Sequence, residues 1–429
     1  MGEVVVGIDV GTTKICTLVG EVRAEDVYVI GVGVELSRGM KKGIVTDVNA
    51  LTNAISASVH KAERSSRYEI GRAFVSVAGG HVDSRNSKGV VGIAGKNGVQ
   101  LTDLERALDA ARAIPLPHNR EVLHVIPRSY MLDGQGDIRS PLGMHGFRLE
   151  VETHIIMAAT SSLQNIEKCV QASGVSVDRF ILNPLASGDV VLSAAERDMG
   201  ALVIDIGGGT TDLAVFVNGS VWHTAVIPVG GWHLTNDIAT GLHLPYEIAE
   251  EVKLGYGHAD PRALEPGEQF IVQPFGEESL SQVSRAELAS IIQARVEELF
   301  ELIRDELQKN GVHNSMLSAG AVLTGGSAQL PGIKTVASNI LKMPVRMSQP
   351  EHLSGMADQL RSPSFSTSVG LLRLGLLMDQ EEAQRGGSPP LRSDNRNGSA
   401  NGSSGKAAAT IGRLVGGFMK RLLPEDDHQ

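Results

Sequence analysis

The chain shows the same arrangement of apolar and polar positions in two places. An apolar run at residues 4–9 is followed by a glycine, two threonines and another apolar run, and residues 201–216 repeat this order with three consecutive glycines. Short apolar runs bounded by glycine are typical of buried strands. Each first strand ends on an aspartate, Asp9 in one copy and Asp205 in the other. The pattern predicts two β-hairpins of the same design.

Apolar positions elsewhere recur with the period of strands or of helices. They predict strands at 15–22, 27–35 and 72–80, and helices at 47–64 (capped by Asp47), 161–174 and 284–311. Between about residues 84 and 160, one helix is combined with several strands, which predicts a compact α+β insert. Because 429 residues exceed one ordinary core, we expect two to four subdomains.

Composition and charge narrow the classes of function. The net charge is −10, from 49 acidic and 39 basic residues, and aromatic residues make up 4%. We therefore expect no nucleic-acid partner. Cys16 and Cys169 lie in apolar segments outside any C-x-x-C pair, which is typical of buried free thiols in a reducing compartment. We predict neither a signal peptide nor a membrane span, since no apolar run approaches roughly 20 residues.

The glycine- and threonine-rich turns of both hairpins are suited to binding phosphate. Backbone N–H groups in such turns can point at one anion, and glycine removes the Cβ that would hold phosphate oxygens away. Threonine hydroxyls and the Lys14 ammonium add donors. Two such turns facing each other would grip a polyphosphate from both sides. The candidate ligands are Gly11, Thr12, Thr13 and Lys14 in the first turn and Gly207, Gly208, Gly209, Thr210 and Thr211 in the second.

A carboxylate at the end of each strand would repel bare phosphate. Asp9 and Asp205 therefore indicate a divalent cation between them, held through waters as Mg²⁺ prefers. The P-loop pattern G-x-x-x-x-G-K-[ST] is absent from the sequence, and a Rossmann turn would open a helix where both of these turns open a strand. The remaining alternative is a pair of ordinary β-hairpins.

This layout resembles the actin-like ATPase superfamily, which includes actin, sugar kinases and heat-shock chaperones. The resemblance rests on "GIDVGTTK", "VIDIGGGTTD" and "AVLTGGSAQLPGI" and covers most of residues 1–378. It implies an α/β, actin-like (ribonuclease-H-like) two-lobed fold with ATP and Mg²⁺ as cofactors. It also implies that Gly325, Gly326 and Ser327 approach the base and the α-phosphate.

Two further segments match the superfamily. In "AEEVKLGYG", Glu250 and Lys253 lie on one helix face and are expected to hold the ribose and adenine, with a solvated helix pair as the alternative. In "LNPLASG", Asn183 stands where the superfamily often carries Glu or Gln near the attacking water. An amide is no general base, so this resemblance implies an ATPase activity that is slow at most. Alternatively, Asn183 only caps a helix.

The resemblance also implies how the chain is divided. We expect the first lobe at 1–83 and 161–200, the inserted α+β subdomain at 84–160, the second lobe at 201–233 and 310–378, its smaller subdomain at 234–309, a disordered linker at 379–409 and a C-terminal amphipathic helix at 410–424.

The insert, with "HVDSRNSKGVVGI" and "RSYMLDG", is similar to that of the bacterial cell-division members of the superfamily. This implies a peripheral protein on the cytoplasmic face of the inner membrane at the division septum. Such a protein self-associates, recruits other division proteins and binds the C-terminal tail of the tubulin-like FtsZ through residues 234–309. Two alternatives are a small-molecule kinase, although no catalytic aspartate besides Asp9 and Asp205 is evident, and a pilus or secretion adaptor.

The end of the chain carries an apolar stripe with helical spacing. We expect this helix to fold on an anionic membrane surface, because Gly416 and Gly417 weaken it in water and the flanking cations suit anionic lipid. One tail would bind reversibly and many tails on one filament firmly. A core helix is the alternative. The apolar positions are Ile411, Leu414, Val415, Phe418, Met419, Leu422 and Leu423, and the cations are Arg413, Lys420 and Arg421.

Overall fold

A computed structural model describes residues 4–23, 26–95, 97–276, 279–351, 353–356 and 358–384. The predicted amphipathic helix at 410–424 and most of the predicted linker lie outside these residues. Within them, no helix is long and apolar enough to cross a bilayer.

The described residues form strands, α-helices and short 3-10 helices. The strands are β1 (Val4–Val10), β2 (Lys14–Arg23), β3 (Asp26–Leu36), β4 (Met40–Lys41), β5 (Ile44–Val45), β6 (Arg72–Val77), β7 (Val82–Gly92), β8 (Arg120–Leu132), β9 (Gln135–Ile138), β10 (Arg148–Ala159), β11 (Ser176–Leu182), β12 (Ala201–Ile206), β13 (Thr211–Val217), β14 (Ser220–Ile227), β15 (Gln269–Val272), β16 (Ser281–Ser284), β17 (Gly320–Thr324), β18 (Val345–Met347) and β19 (Ser354–Gly355). The helices are α1 (Val48–Ser66), α2 (Leu101–Arg112), α3 (Thr160–Ala172), α4 (Asn183–Val191), α5 (Ala194–Met199), α6 (Gly231–Gly241), α7 (Tyr246–Tyr256), α8 (Arg285–Lys309), α9 (Ile333–Leu341) and α10 (Ser366–Gln384). The 3-10 helices are Pro261–Ala263, Asn314–Met316, Gly326–Gln329, Asp358–Leu360 and Pro363–Phe365.

Two sheets of similar design form the centres of two lobes. The first has the order β11-β6-β1-β2-β3-β19 and the second the order β14-β13-β12-β17-β18. In the first sheet, β1 runs antiparallel to its hairpin partner β2 and parallel to β6. In the second sheet, β12 likewise runs antiparallel to β13 and parallel to β17. Asp9 pairs with Cys16 and Asp205 with Asp212. The two hairpins predicted from the apolar pattern are therefore confirmed.

Helices α4 and α10 pack between the two sheets. Their buried side chains share one apolar cluster with Ile8 of the first sheet and with Val203 and Phe216 of the second. The helices cross where α10 carries Gly370, at which a Cβ would lie 1.9 Å from the carbonyl oxygen of Ala186 in α4. Glycine thus permits the close approach of the backbones at this crossing.

The third sheet, with the order β7-β10-β8-β9, is covered by α2 and has its own apolar cluster. The chain enters and leaves this insert from the first lobe, yet the insert also contacts β14 of the second lobe. The His154 Nε2 atom lies 2.8 Å from Thr224 Oγ1, and the Arg128 guanidinium lies 3.6 Å from the centroid of the Trp222 ring. The insert therefore contacts both lobes.

The predicted helices within the described residues are confirmed, with one correction and one addition. The Asp47 carboxylate accepts hydrogen bonds from Asn49 N and Ala50 N at the start of α1, as expected. The predicted lobe boundary at Met378 is too early, because α10 continues to Gln384 and the first six residues assigned to the linker are helical. The stretch before the second hairpin holds a further helix, α5, which begins with a capping box of Ser193 and Glu196.

Candidate functional site

A cavity of about 540 Å³ lies between the two lobes. Every predicted catalytic and nucleotide-contacting residue lines it except Thr211. The Thr211 side chain is turned elsewhere, since its hydroxyl donates to Val229 O at 2.8 Å. The sequence motifs from distant parts of the chain thus converge on one concave site.

The two hairpin turns face each other across this cavity. A Cβ on Gly208 would lie 2.0 Å from Thr13 Oγ1, and a Cβ on Gly209 would lie 2.7 Å from Thr12 Oγ1. Each turn is closed by one backbone hydrogen bond of the same kind, from Gly11 N to Lys14 O and from Gly207 N to Thr210 O. Because a side chain would not fit at Gly208 or Gly209, glycine lets the two turns approach each other closely, and both turns line the cavity.

Asp9 and Asp205 lie at the bottom of the cavity, and both are buried. The Asp9 carboxylate accepts from Ser76 Oγ at 2.9 Å and from Ser368 Oγ at 2.7 Å, and Asp205 accepts from Thr367 Oγ1 at 2.9 Å. Burial raises the pKa of Asp205 to about 6; the Thr367 hydroxyl opposes this shift and the charge of Asp9 adds to it. Two buried carboxylates at one site call for a cation.

A third carboxylate, Asp212, also lines the cavity. Its Oδ1 atom is buried without a hydrogen-bond partner among the described residues, and Thr210 Oγ1 donates to Oδ2 at 3.4 Å. Burial, and then the charge of Asp205, hold the pKa of Asp212 well above its usual range. Asp212 could have been identified from the register of the predicted hairpin, because directly paired residues such as Asp205 and Asp212 lie on the same face of the sheet.

These carboxylates suit Mg²⁺ better than a metal ion that is coordinated entirely by protein side chains. Among the described residues, no group of three His, Cys, Asp or Glu side chains is arranged to hold a metal ion. Mg²⁺ is usually bound through one or two carboxylates, with waters and ligand phosphates completing its octahedron. The unpartnered Asp212 oxygen and the two aspartates beside the open turns fit that mode.

Lys14 lies at the edge of the first turn. Its ammonium donates to the carbonyl oxygen of Ser364 and lies 3.4 Å from the centroid of the Phe365 ring. Burial lowers the pKa of Lys14, whereas the nearby charges, including those of Asp9 and Asp205, act in the opposite direction. The side chain therefore supplies positive charge close to Asp9 and Asp205.

Glu250 and Lys253 form a bonded pair in the cavity wall. Lys253 Nζ lies 2.6 Å from Glu250 Oε2, 2.9 Å from Thr235 Oγ1 and 3.3 Å from Gly231 O. The Lys253 side chain is 11% exposed and that of Glu250 is 36% exposed. The pair is thus held by α6 and is not a freely solvated helix pair.

The third motif packs directly on the second hairpin. Gly325 has φ +90°, and a Cβ there would lie 2.4 Å from Asp205 Oδ1. Ser327 Oγ donates to Gly207 O at 3.0 Å. Glycine is therefore required at Gly325 both by the backbone conformation and by the carboxylate beside it.

Asn183 is the first residue of α4 and lines the cavity. Leu182 occupies the cap position, so the alternative that Asn183 caps this helix is wrong. The Asn183 Oδ1 atom is buried without a hydrogen-bond partner among the described residues. The Asn183 side chain therefore brings an amide acceptor without a partner among the described residues to the cavity lining.

The segment 362–368 was missed by reasoning from sequence. Pro363 O accepts from Gly325 N at 3.1 Å, the Ser364 carbonyl accepts from Lys14, and Thr367 and Ser368 donate to the aspartates. In the sequence this segment is a run of serine and threonine before an apolar helix. Such a run is equally typical of an ordinary helix N-terminus, so it did not indicate a functional site. This segment contacts all three glycine-rich motifs.

Comparisons with known proteins agree with this architecture. A family model described as "Cell division protein FtsA" matches residues 202–370, and one described as "SHS2 domain inserted in FTSA" matches residues 79–157. The cell division protein FtsA of Pseudomonas aeruginosa is 42% identical over 87% of this chain and 90% of its own length. That of Escherichia coli is 36% identical, with the same shares of 87% and 90%.

Solved structures show the same fold at low sequence identity. The PilM–PilN type IV pilus biogenesis complex contains a chain with a TM-score of 0.62 and 19% identity, which covers 90% of this chain and 99% of its own. MreB5 of Spiroplasma citri bound to ADP gives a TM-score of 0.54 and 14% identity, with the same coverage of 90% and 99%. The two lobes are thus those of an actin-like fold.

Proposed function

Because the chain belongs to the FtsA family of cell division proteins, we propose that it is an ATP-binding adaptor that attaches FtsZ filaments to the cytoplasmic membrane. The observation that carries this proposal is the pair of glycine turns that face each other over buried carboxylates. The shape and charge of the cavity suit a polyphosphate with a divalent cation.

In this proposal the two turns hold the phosphates of ATP. Asp9 and Asp205 orient the water shell of Mg²⁺, and Lys14 neutralises phosphate charge. Glu250 and Lys253 hold the ribose and adenine, and Gly325, Gly326 and Ser327 lie against the base and α-phosphate. Mg²⁺ supplies charge neutralisation between the phosphates. That the structurally similar MreB5 has been solved with ADP supports a nucleotide in this cavity.

The amide side chain of Asn183 supports the proposal that ATP hydrolysis is slow. Its amide has no proton-accepting group with a suitable pKa, so it can orient a water but cannot act as a general base. We therefore propose that the bound nucleotide serves mainly to set the state of the protein, with ATP hydrolysis slow at most.

The FtsZ contact is proposed for the smaller subdomain of the second lobe, residues 234–309. Large apolar side chains are exposed there, among them Phe275 at 77% and Leu280 at 67%. Contiguous patches of exposed apolar side chains are typical of sites that bind proteins. The proposed partner is the C-terminal tail of FtsZ, and self-association and the recruitment of other division proteins complete the function.

Membrane attachment is proposed for the apolar stripe between residues 411 and 423. Seven partly buried apolar side chains give roughly 5–10 kcal/mol before the cost of ordering the helix is subtracted. One tail is therefore expected to bind reversibly. A filament with many tails would bind firmly, since later contacts are intramolecular.

The test is co-sedimentation of FtsZ with anionic liposomes in the presence of the full chain and ATP. Gly416→Glu should abolish lipid binding and FtsZ recruitment but leave ATP binding intact. Gly71→Glu is the matched control, because a side chain at Gly71 meets nothing within 4 Å and adds the same charge 345 positions earlier in the sequence. Lipid binding that is the same with and without self-association would contradict the avidity step. ATP consumption stimulated by a sugar would instead support a kinase.

A further inference from the structure

The first turn of α10 contacts the carboxylates of both lobes. Thr367 Oγ1 donates to Asp205 Oδ2 at 2.9 Å, and Ser368 Oγ donates to Asp9 Oδ2 at 2.7 Å. Thr367 is 6% exposed and Ser368 is 1% exposed. Consecutive residues of a helix project about 100° apart, so two neighbouring hydroxyls can reach in two directions. One short turn thus bonds an aspartate of the first sheet and an aspartate of the second.

We propose that Thr367 and Ser368 are positioning residues that hold Asp9 and Asp205 in the orientation required by the divalent cation. This inference rests on the proposed function of the cavity as a site for Mg²⁺ and a nucleotide. Each hydroxyl occupies one carboxylate oxygen from the protein side and leaves further lone pairs directed at the cavity. Hydrogen bonds to ionised carboxylates are short and strong, so they fix the orientation of the acceptor.

Without these donors, Asp205 would lose its hydrogen bond from Thr367 and Asp9 would lose one of its two hydroxyl donors, so both carboxylates would be held less firmly. Their mutual repulsion and their burial disfavour the paired, charged arrangement that the cation needs. Asp9 retains the hydroxyl of Ser76 when Ser368 is truncated. We therefore expect the loss of the Thr367 hydroxyl to have the larger effect.

The experiment measures the affinity of the full chain for a fluorescent ATP analogue over a range of Mg²⁺ concentrations and in EDTA. Thr367→Val, which removes the hydroxyl at nearly constant shape, is expected to raise the Mg²⁺ concentration at half saturation about tenfold. Its affinity in EDTA should equal that of the wild type. Ser368→Ala should shift the Mg²⁺ midpoint in the same direction but less.

Two controls separate positioning from general damage. Thr367→Ser keeps the hydroxyl and should restore the wild-type Mg²⁺ midpoint. Ser58→Ala removes a buried hydroxyl that lies outside the cavity lining and bonds Thr17 Oγ1 at 2.8 Å, not a carboxylate, and it should leave the midpoint unchanged. Thermal unfolding of each variant checks the fold, and Ser368→Ala and Thr367→Ser remain informative if Thr367→Val does not fold.

The outcomes distinguish this inference from the proposed function. A wild-type chain that binds no nucleotide at any Mg²⁺ concentration would overturn both. Mg²⁺-dependent binding by the wild type, with unchanged midpoints in Thr367→Val and Ser368→Ala, would overturn the positioning role alone. Equal losses of affinity with Mg²⁺ and in EDTA would also overturn it, because they would indicate a purely structural role.

Discussion

At the scale of single residues, the cavity depends on glycines, which lack a Cβ, as much as on polar side chains. Gly208 and Gly209 leave room for the opposite turn, and Gly325 leaves room for Asp205. The sequence identifies Gly208 and Gly209, because three consecutive glycines at 207–209 follow a strand that ends on a charge, and Gly325 is identified by the third motif. Thr367 could not be identified in this way, since its role depends on a contact with a residue 162 positions away.

Gly325→Ala is expected to remove nucleotide binding. Its Cβ would lie 2.4 Å from Asp205 Oδ1 at a φ of +90°, so strain and displacement of the carboxylate add to each other. We expect the free energy of unfolding to fall by about 2–4 kcal/mol. ATP affinity should fall at least about tenfold, which a fluorescence titration measures. Gly311→Ala is the control, since Gly311 has φ +70° but open space around it, and only the stability should decrease.

At the scale of elements, a histidine joins the insert to the helix that carries Asn183. On β8, His124 Nε2 accepts a hydrogen bond from Leu182 N at the start of α4, at 3.1 Å. Burial, with a smaller effect of Arg179, lowers the pKa of His124 to about 3. The neutral ring is therefore the form that this contact requires.

The free energy of unfolding should consequently rise with pH between about 3 and about 6.5. In this range the unfolded chain, with an ordinary histidine pKa, binds more protons than the folded one, so acid favours unfolding. His124→Gln should lower the slope by up to about 1.4 kcal/mol per pH unit, as measured by urea unfolding at several pH values. His118→Gln, at an exposed position of the insert, should leave the slope unchanged.

The crossing of α4 and α10 gives a second prediction at this scale. Gly370→Ala would place a Cβ 1.9 Å from Ala186 O, a backbone atom, so the helices must separate. We expect a net loss of stability of about 1–3 kcal/mol in urea unfolding. Gly255→Ala in α7 meets nothing within 4 Å and should gain up to about 1 kcal/mol from helix propensity. A loss at Gly255 or a gain at Gly370 would contradict this account.

At the scale of the whole molecule, the two lobes follow from the repeated hairpin, but the contacts between distant segments do not. The apolar pattern predicts both hairpins and most helices, because local periodicity determines them. It does not predict that the insert contacts β14 or that residues 362–368 contact all three motifs. Those contacts depend on how elements that are distant in sequence pack together, which the local pattern of apolar residues does not predict.

The contact between the insert and the second lobe can be tested by weakening it. Arg128→Ala removes the guanidinium that stacks on Trp222, a contact worth about 1–2 kcal/mol when it is shielded from water. Amide hydrogen exchange should become faster in β14 and on the facing strands of the insert. Arg85→Ala, an exposed position on β7 of the same sheet, is the control and should leave exchange in β14 unchanged.

Helix α10 also connects the cavity to the C-terminal part of the chain. One end lies at Gln384, after which the predicted linker leads to the segment proposed to attach to lipid, and the other carries the hydroxyls of Thr367 and Ser368. The distance along the helix between these ends is about 26 Å. A pull exerted from the membrane would therefore reach this helix first, and it would be resisted by the apolar contacts of α10 with both sheets and by the two hydrogen bonds that hold the aspartates.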